Sequence, residues 1–156
     1  MTSFVGETDL VVFDFDGVLT DNRVLVMQDG QEAVFCNRAD GLAFDMFRAK
    51  GLPALILSTE TNPVVAARGL KLKIPVVQGV ADKGVAIEMI CRERGIDLAR
   101  TMFVGNDVND LPAMARVGLP VAVSDAHPAV KANARHVLVT RGGDGVAREI
   151  AGLVLG

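Results

Sequence analysis

Two carboxylates, Asp14 and Asp16, follow the apolar run Leu10-Val11-Val12-Phe13 in the string Asp14-Phe15-Asp16-Gly17-Val18-Leu19-Thr20-Asp21. The run has no polar alternation, so it reads as a strand buried on both faces, with the two acids at its end. Like charges so close to an apolar core repel each other and lose hydration, which is tolerable when a cation or a phosphate-binding task compensates them. An acidic solvated turn explains an isolated Asp-x-Asp, but it does not explain the whole Asp-x-Asp-Gly-x-x-Thr string.

Further polar groups fall where strands are expected to end: Ser58-Thr59-Glu60, Asp82-Lys83 and Gly105-Asn106-Asp107-Val108-Asn109-Asp110. Each has a bland reading when taken alone. Ser58 could cap a helix, Lys83 could be a solvated helix residue, and residues 106–110 could be a polar turn. Lys83, however, would stand in a helix's first turn, where a cation opposes the macrodipole. Together, carboxylates from separate strand ends with a serine and a lysine suit Mg²⁺ and a phosphoryl group, the cation taking oxygen ligands and the lysine offsetting phosphate charge.

The elements needed to gather these residues are legible in the pattern. Arg23 to Gln28 and Glu32 to Cys36 flank Asp29-Gly30 as a hairpin. Asp40 to Lys50 reads as a helix with Ala43, Met46 and Phe47 on one face, stopped by Gly51 and Pro53. Strands are expected at Ala54 to Leu57, Val76 to Val77, Met102 to Val104, Pro120 to Val123 and His136 to Val139. Helices alternate with them near Pro63 to Leu70, Lys83 to Arg94, Leu111 to Arg116, Pro128 to Ala134 and Val146 to Leu155. This alternation predicts an α/β, Rossmann-like, doubly wound parallel sheet with helices on both faces and a β-hairpin insertion. Ligands in such folds lie beyond the carboxyl ends of the strands, where all the polar groups fall.

In this order and spacing the residues resemble the haloacid-dehalogenase-like phosphohydrolase superfamily, with Asp14 to Asp21 as its first motif, Ser58 its second, Lys83 its third and Gly105 to Asp110 its fourth. The resemblance implies catalysis by Asp14, Asp16, Ser58 and Lys83. Asp14 would be the nucleophile, becoming an aspartyl phosphate, and Asp16 the general acid and then base. It also implies Mg²⁺ held by Asp14, Asp16, Asn106 and Asp107. Asn106 departs from the pattern, since the family usually has Asp there; an amide oxygen would replace a carboxylate, and Asp107 or Asp110 could partly compensate.

Only the hairpin region, about residues 22–36, separates the first motif from the first helix, so no cap domain fits. The whole chain, 1–156, is expected to be a single domain of this kind. It resembles the capless subclass that includes 3-deoxy-octulosonate 8-phosphate and nonulosonate 9-phosphate phosphatases and the C-terminal domain of some acylneuraminate cytidylyltransferases. Asn37-Arg38-Ala39-Asp40-Gly41, Asp125-Ala126-His127-Pro128 and Gly142-Gly143-Asp144-Gly145 also match this subclass. The implied substrate is a phosphorylated 2-keto-3-deoxy sugar acid contacted by Asn37, Asp40, Gly41, Thr59, Glu60, Arg68 and Lys71. The octulosonate enzymes resemble Thr-Gly-Arg where this chain has Ser58-Thr59-Glu60, whereas Glu60 with Lys71 resembles the nonulosonate enzymes. The subclass implies a homotetramer in which a neighbour closes the site, and hairpin edges that seek a partner agree with this.

Composition narrows the partners. The chain has 156 residues, 50% of them hydrophobic, and a net charge of −3 without a basic run, which argues against nucleic acid or a polybasic membrane contact. Trp and Tyr are lacking, so stacking platforms for sugars or single strands are too. No long apolar run or signal-like start is present, so a cytoplasmic enzyme is expected, with Cys36 and Cys91 as buried, reduced thiols. A phosphorelay receiver would share the acids, Ser and Lys, but it needs a lone Asp after Val76 to Gly79. A catalytically idle oligomerisation module of sialic-acid-type sugar activation is the other rival, and intact Asp14, Asp16, Ser58 and Lys83 speak against it.

Overall fold

A computed structural model describes residues 2–156. Six parallel strands form one sheet: β1 (Leu10–Phe13), β4 (Ala54–Leu57), β5 (Val76–Val77), β6 (Thr101–Gly105), β7 (Leu119–Ala122) and β8 (His136–Val137), in the order β5-β4-β1-β6-β7-β8. The antiparallel pair β2 (Leu25–Val26) and β3 (Glu32–Ala33) stands apart as the hairpin. The helices are α1 (Arg38–Ala49), α2 (Pro63–Leu72), α3 (Lys83–Arg94), α4 (Leu111–Met114), α5 (Pro128–Ala132) and α6 (Val146–Leu155). The chain winds from β1 outward through β4 to β5, then crosses back to β6. The strand order therefore reverses beside β1, and Asp14 lies at that switch point, where such sheets place their ligands.

The central strands are apolar because they are buried on both faces, with Leu10, Val11, Val12 and Phe13 all fully enclosed. Phe13 meets Phe44 edge-on at a ring separation of 5.3 Å, and Phe47 completes this cluster. The buried face of α1 is Asp40, Ala43, Phe44 and Phe47. Met46, expected on that face, is exposed instead. Three residues from 43 and one from 47, it fits the spacing, but Phe44 points closer to the sheet and its larger ring takes the place.

Short side-chain caps set the helix starts. Asn37 accepts from Ala39 N–H, Asn62 from Val64 N–H ahead of Pro63, and Asp82 from Gly84 and Val85 N–H. Helix α3 ends on Gly95 in the left-handed conformation, φ 66°. Three strands are shorter than the pattern suggests. The hairpin pairs only two residues on each side, and β8 stops at Val137 because the N–H groups of Val139 and Thr140 turn to the Glu149 carboxylate at 3.1 and 2.9 Å. Helices α4 and α5 end at Met114 and Ala132, short of the expected Arg116 and Ala134. Cys91 is buried, while Cys36 is only partly so.

Asp40 joins the first helix to the last. It is 1% exposed and its Oδ1 accepts the Ala147 N–H at 3.0 Å, supplying the cap that Gly145 lacks at the start of α6. Its Oδ2 has no partner. Burial pushes this carboxyl up to about 6, against the opposing Ala147 hydrogen bond and the Arg68 charge. The folded chain thus holds a proton between about pH 4 and 6 that the unfolded chain releases, and stability falls as pH rises through that window. The fall from this group amounts to about 3 kcal/mol at most. Asp40→Asn should remove this part of the slope in urea unfolding between pH 4.5 and 7.5, and an unchanged slope would contradict it.

Candidate active site

At the end of β1 the Asp14 carboxylate is 5% exposed. Its Oδ1 accepts the Phe15 N–H at 2.8 Å and the Lys83 ammonium at 2.7 Å. Lys83, the first residue of α3, is 1% exposed and donates at 2.7 Å to Asp110 as well. Asp82 caps the helix, so Lys83 is free to cross beneath the strand ends, with its ammonium 5.9 Å from the centre of the Phe103 ring. Its unfavourable place on the helix dipole is compensated by two buried carboxylates rather than by water.

These charges set one another. Burial first, then the Asp110 charge, push Asp14 up to about 7, with Lys83 opposing. Burial pulls the Lys83 ammonium down, yet Asp14 and Asp110 outweigh it and hold Lys83 above its ordinary value. Asp16 is partly buried and raised, by burial first and then by the Glu60 charge, with Glu32 adding to it and Lys83 opposing. A carboxyl raised in this way gives up its proton less readily than a solvated one, which suits a proton donor.

Asp110 is the residue whose place the pattern did not settle. It is fully buried, and its Oδ2 accepts the N–H groups of Asn106 at 2.8 Å and Asp107 at 3.3 Å while Oδ1 takes Lys83. Both oxygens are engaged, so Asp110 organises the loop and the lysine. The signal was the Asp107-x-x-Asp110 spacing, which forms a reciprocal capping box at the 3-10 turn Val108–Asp110. Asp107 itself is exposed on the rim, its Oδ1 accepting the Val108 N–H at 2.7 Å.

The Asn106 side chain faces two acceptors, with one amide atom 2.8 Å from Asp14 Oδ2 and 3.0 Å from the Asp16 main-chain carbonyl. When its oxygen points inward, it lies 2.8 and 3.0 Å from the other two oxygens of a triangle, close to the ~2.9 Å expected between neighbouring ligands of Mg²⁺ at 2.0–2.1 Å. The donor set of one carboxylate, one carbonyl and one amide therefore fits a hard cation. Among the described residues no cluster of three His, Cys, Asp or Glu side chains offers another.

A small hollow of about 110 Å³ opens onto this triangle, lined by Asp14, Asp16, Asn22, Ser58, Thr59, Asn106, Asp107 and Asn109. Ser58 does not cap a helix. Its buried hydroxyl accepts the Glu60 N–H at 3.0 Å and turns the chain after β4, while Asn62 caps α2. Beside it, a second hollow holds Asp16, Glu60, Asn62 and the hairpin's Arg23 and Glu32. Glu60 Oε1 accepts the N–H groups of Thr61 and Asn62. Asn62 in turn donates to Glu32, which ties hairpin to helix, a contact with no local sequence signal.

The remaining expected contacts lie elsewhere on the chain. Gly41, Arg68 and Lys71 line a hollow with Arg38, Leu42 and Leu72 that shares no lining residue with the Asp14 hollow. Asn37 caps α1 and its carbonyl accepts from Arg68 at 3.1 Å, and Asp40 is spent on α6. The Gly142 and Gly143 segment braces the loop after β1. Gly143 N–H donates to Val18 at 3.0 Å, and a Cβ on Gly142 would sit 1.9 Å from the Gly17 carbonyl oxygen. Gly142 N–H donates to Asp125 at 2.9 Å, giving the Asp125 string a positioning contact.

The sequence and the fold recur in known proteins. A family model of haloacid dehalogenase-like hydrolases matches residues 59–150. The chain is 33% identical over 146 residues to the 3-deoxy-D-manno-octulosonate 8-phosphate phosphatase KdsC of Haemophilus influenzae, covering 93% of this chain and 81% of that protein. A HAD family hydrolase from Streptomyces avermitilis superposes with a TM-score of 0.97 at 52% identity, over 100% of this chain and 96% of that one. The octulosonate 8-phosphate phosphatase of Moraxella catarrhalis, solved with a magnesium ion, a phosphate ion and KDO, superposes with a TM-score of 0.91 at 27% identity, covering 96% and 86%. Sequence likeness running through nearly the whole length, and not only the shape of the sheet, thus accompanies the acids at the switch point: this chain belongs to the haloacid dehalogenase-like hydrolases.

Proposed function

We propose that the chain is a Mg²⁺-dependent phosphatase of phosphorylated 2-keto-3-deoxy sugar acids, acting through an aspartyl phosphate. The observation that carries this is the convergence on one small hollow of buried Asp14, the Lys83 ammonium and the oxygen triangle of Asp14, Asp16 and Asn106. The relatives' names and the Moraxella enzyme's magnesium, phosphate and KDO support the substrate class and the metal.

Asp14 attacks phosphorus, forming its acyl phosphate as the bond from phosphorus to the sugar oxygen breaks. Asp16 gives its proton to that oxygen. It then takes a proton from water as the water oxygen bonds to phosphorus and the acyl phosphate opens, regenerating Asp14. Ser58 and Thr59 hold phosphoryl oxygens, and Lys83 offsets their charge. Asp14, the Asp16 carbonyl and Asn106, with Asp107 on the rim, would hold Mg²⁺, which when bound would supply positive charge to neutralise and orient the phosphoryl group.

For the finer substrate we favour a nine-carbon acid 9-phosphate. Glu60 lies beside Asp16 and is placed to accept from sugar hydroxyls. The eight-carbon 8-phosphate is the second reading, favoured by the names of the relatives. In one chain Arg68 and Lys71 stand in a separate hollow, so their contact with the substrate carboxylate is supplied by a neighbouring copy. The hairpin offers the surface for that assembly, with Leu25, Val26, Met27 and Phe35 all exposed. A homotetramer is accordingly expected by light scattering, and a fully active monomer would remove the neighbour from the site.

Phosphate release from a panel of sugar phosphates, with Mg²⁺ and with EDTA, tests the whole reading. The nine-carbon substrate should show the higher kcat/KM. Lys71→Ala should cost on the order of 2 to 3 kcal/mol on it, roughly 30- to 150-fold, and little on p-nitrophenyl phosphate, which has no carboxylate. Equal losses on both would place Lys71 in the fold or the phosphoryl site and favour the eight-carbon substrate or a broad one.

A further inference from the structure

The two ends of the Asn106 amide are not equivalent in this site. The residue is 8% exposed, and the groups it faces, Asp14 Oδ2 and the Asp16 carbonyl, both only accept when Asp14 is ionised. With nitrogen inward, the amide donates to both at 2.8 and 3.0 Å. Asp14 is then fully satisfied, since its Oδ1 already takes Phe15 N–H and Lys83. With oxygen inward, three acceptors crowd together, an arrangement that repels unless a cation lies among them. The backbone of Asn106 is fixed in either case, its N–H on Asp110 and its carbonyl on His127 N–H at 2.8 Å each. Only the side-chain torsion is free. Space for it exists because residue 17 is glycine with φ +84°, where a Cβ would sit 2.0 Å from the Asn106 amide.

We propose that Asn106 is a cation-dependent amide switch, its nitrogen closing the empty site and its oxygen turning inward when a divalent cation binds. This rests on the metal reading above and goes beyond it, because it gives the amide a task that the family's usual aspartate cannot perform. A carboxylate at 106 has no donor. It would add a third buried negative group to Asp14 and Asp110, which share one lysine. The amide therefore stabilises the empty site and weakens its hold on the cation.

The test compares the whole protein with Asn106→Asp and Asn106→Ala, by melting in EDTA and in Mg²⁺ and by calorimetric titration with Mg²⁺. In EDTA both variants should melt below wild type, the aspartate variant by about 4 °C or more. With Mg²⁺ the order should change. The aspartate variant should gain most and bind Mg²⁺ at least ~10-fold more tightly than wild type, and the alanine variant should gain least because the oxygen is gone. Wild-type protein gives an independent reading, since the Asn106 side-chain NH₂ resonances should shift and lose exchange protection on adding Mg²⁺. Variants as stable as wild type in EDTA, an alanine variant with the wild-type Mg²⁺ response, or unmoved NH₂ resonances in protein that binds Mg²⁺ would each overturn the switch and leave the metal reading standing. Wild-type protein that does not bind Mg²⁺ would overturn both.

Discussion

Asp14→Asn should abolish phosphate release, by at least ~10⁴-fold, while the protein stays folded. The amide matches the carboxylate in shape and still accepts from Phe15 N–H and Lys83, which stand at 2.8 and 2.7 Å. It cannot form an acyl phosphate. The fold survives because the native carboxylate is a burden at this place, pushed up to about 7 by burial first and by Asp110 second. In EDTA, wild-type stability falls as pH rises through the range from the ordinary carboxylate value to about 7, since the folded chain retains a proton there that the unfolded chain releases. The variant lacks that ionisation and should lose less stability between pH 5 and 8. Assays of phosphate release, with denaturant unfolding at both pH values, check both halves. A folded variant with substantial turnover would show that another group attacks phosphorus.

The sheet was legible because its inner strands bury both faces. Leu10 to Phe13 and Ala54 to Leu57 leave no room for another period, and glycine and proline punctuate what lies between. Lys83 was legible for a similar reason, as a cation where a helix start disfavours one. What escaped the pattern depends on partners distant in the chain. Met46 and Phe44 both fit a helical face, and only the Phe13 ring decides between them. The short β8 reflects the Glu149 carboxylate reaching back to Val139 and Thr140. Asp110 has the sequence signature of a cap, which it is, but its second oxygen is committed to Lys83 across 27 residues, and local spacing carries no trace of that. The separation of Lys71 from Glu60 escaped likewise. Eleven residues look close along a chain, yet the two face different hollows.

Lys83→Met is expected to reduce activity by at least ~10³-fold. It should also destabilise the protein by about 3–5 kcal/mol at pH 8, the usual cost of removing one partner from a buried ion pair. Methionine fills nearly the same volume, so the loss reports charge rather than packing. Without the ammonium, Asp14 and Asp110 share a dry site as two like charges, and the folded protein retains a proton that the unfolded chain gives up. The destabilisation should therefore shrink at pH 5 and grow as pH rises. Adding Asp110→Asn removes one of the two charges while leaving an oxygen for Asn106 N–H, bound at 2.8 Å in the native chain. The double variant should recover most of the stability at pH 8 and none of the activity, because the phosphoryl site still lacks its cation. Urea unfolding across pH, with phosphate release beside it, separates the cases. If Lys83→Met were as stable as wild type at pH 8, or if the second substitution restored nothing, the three buried charges would not be holding one another as the 2.7 Å contacts imply. Lys83 would then act on the phosphoryl group alone.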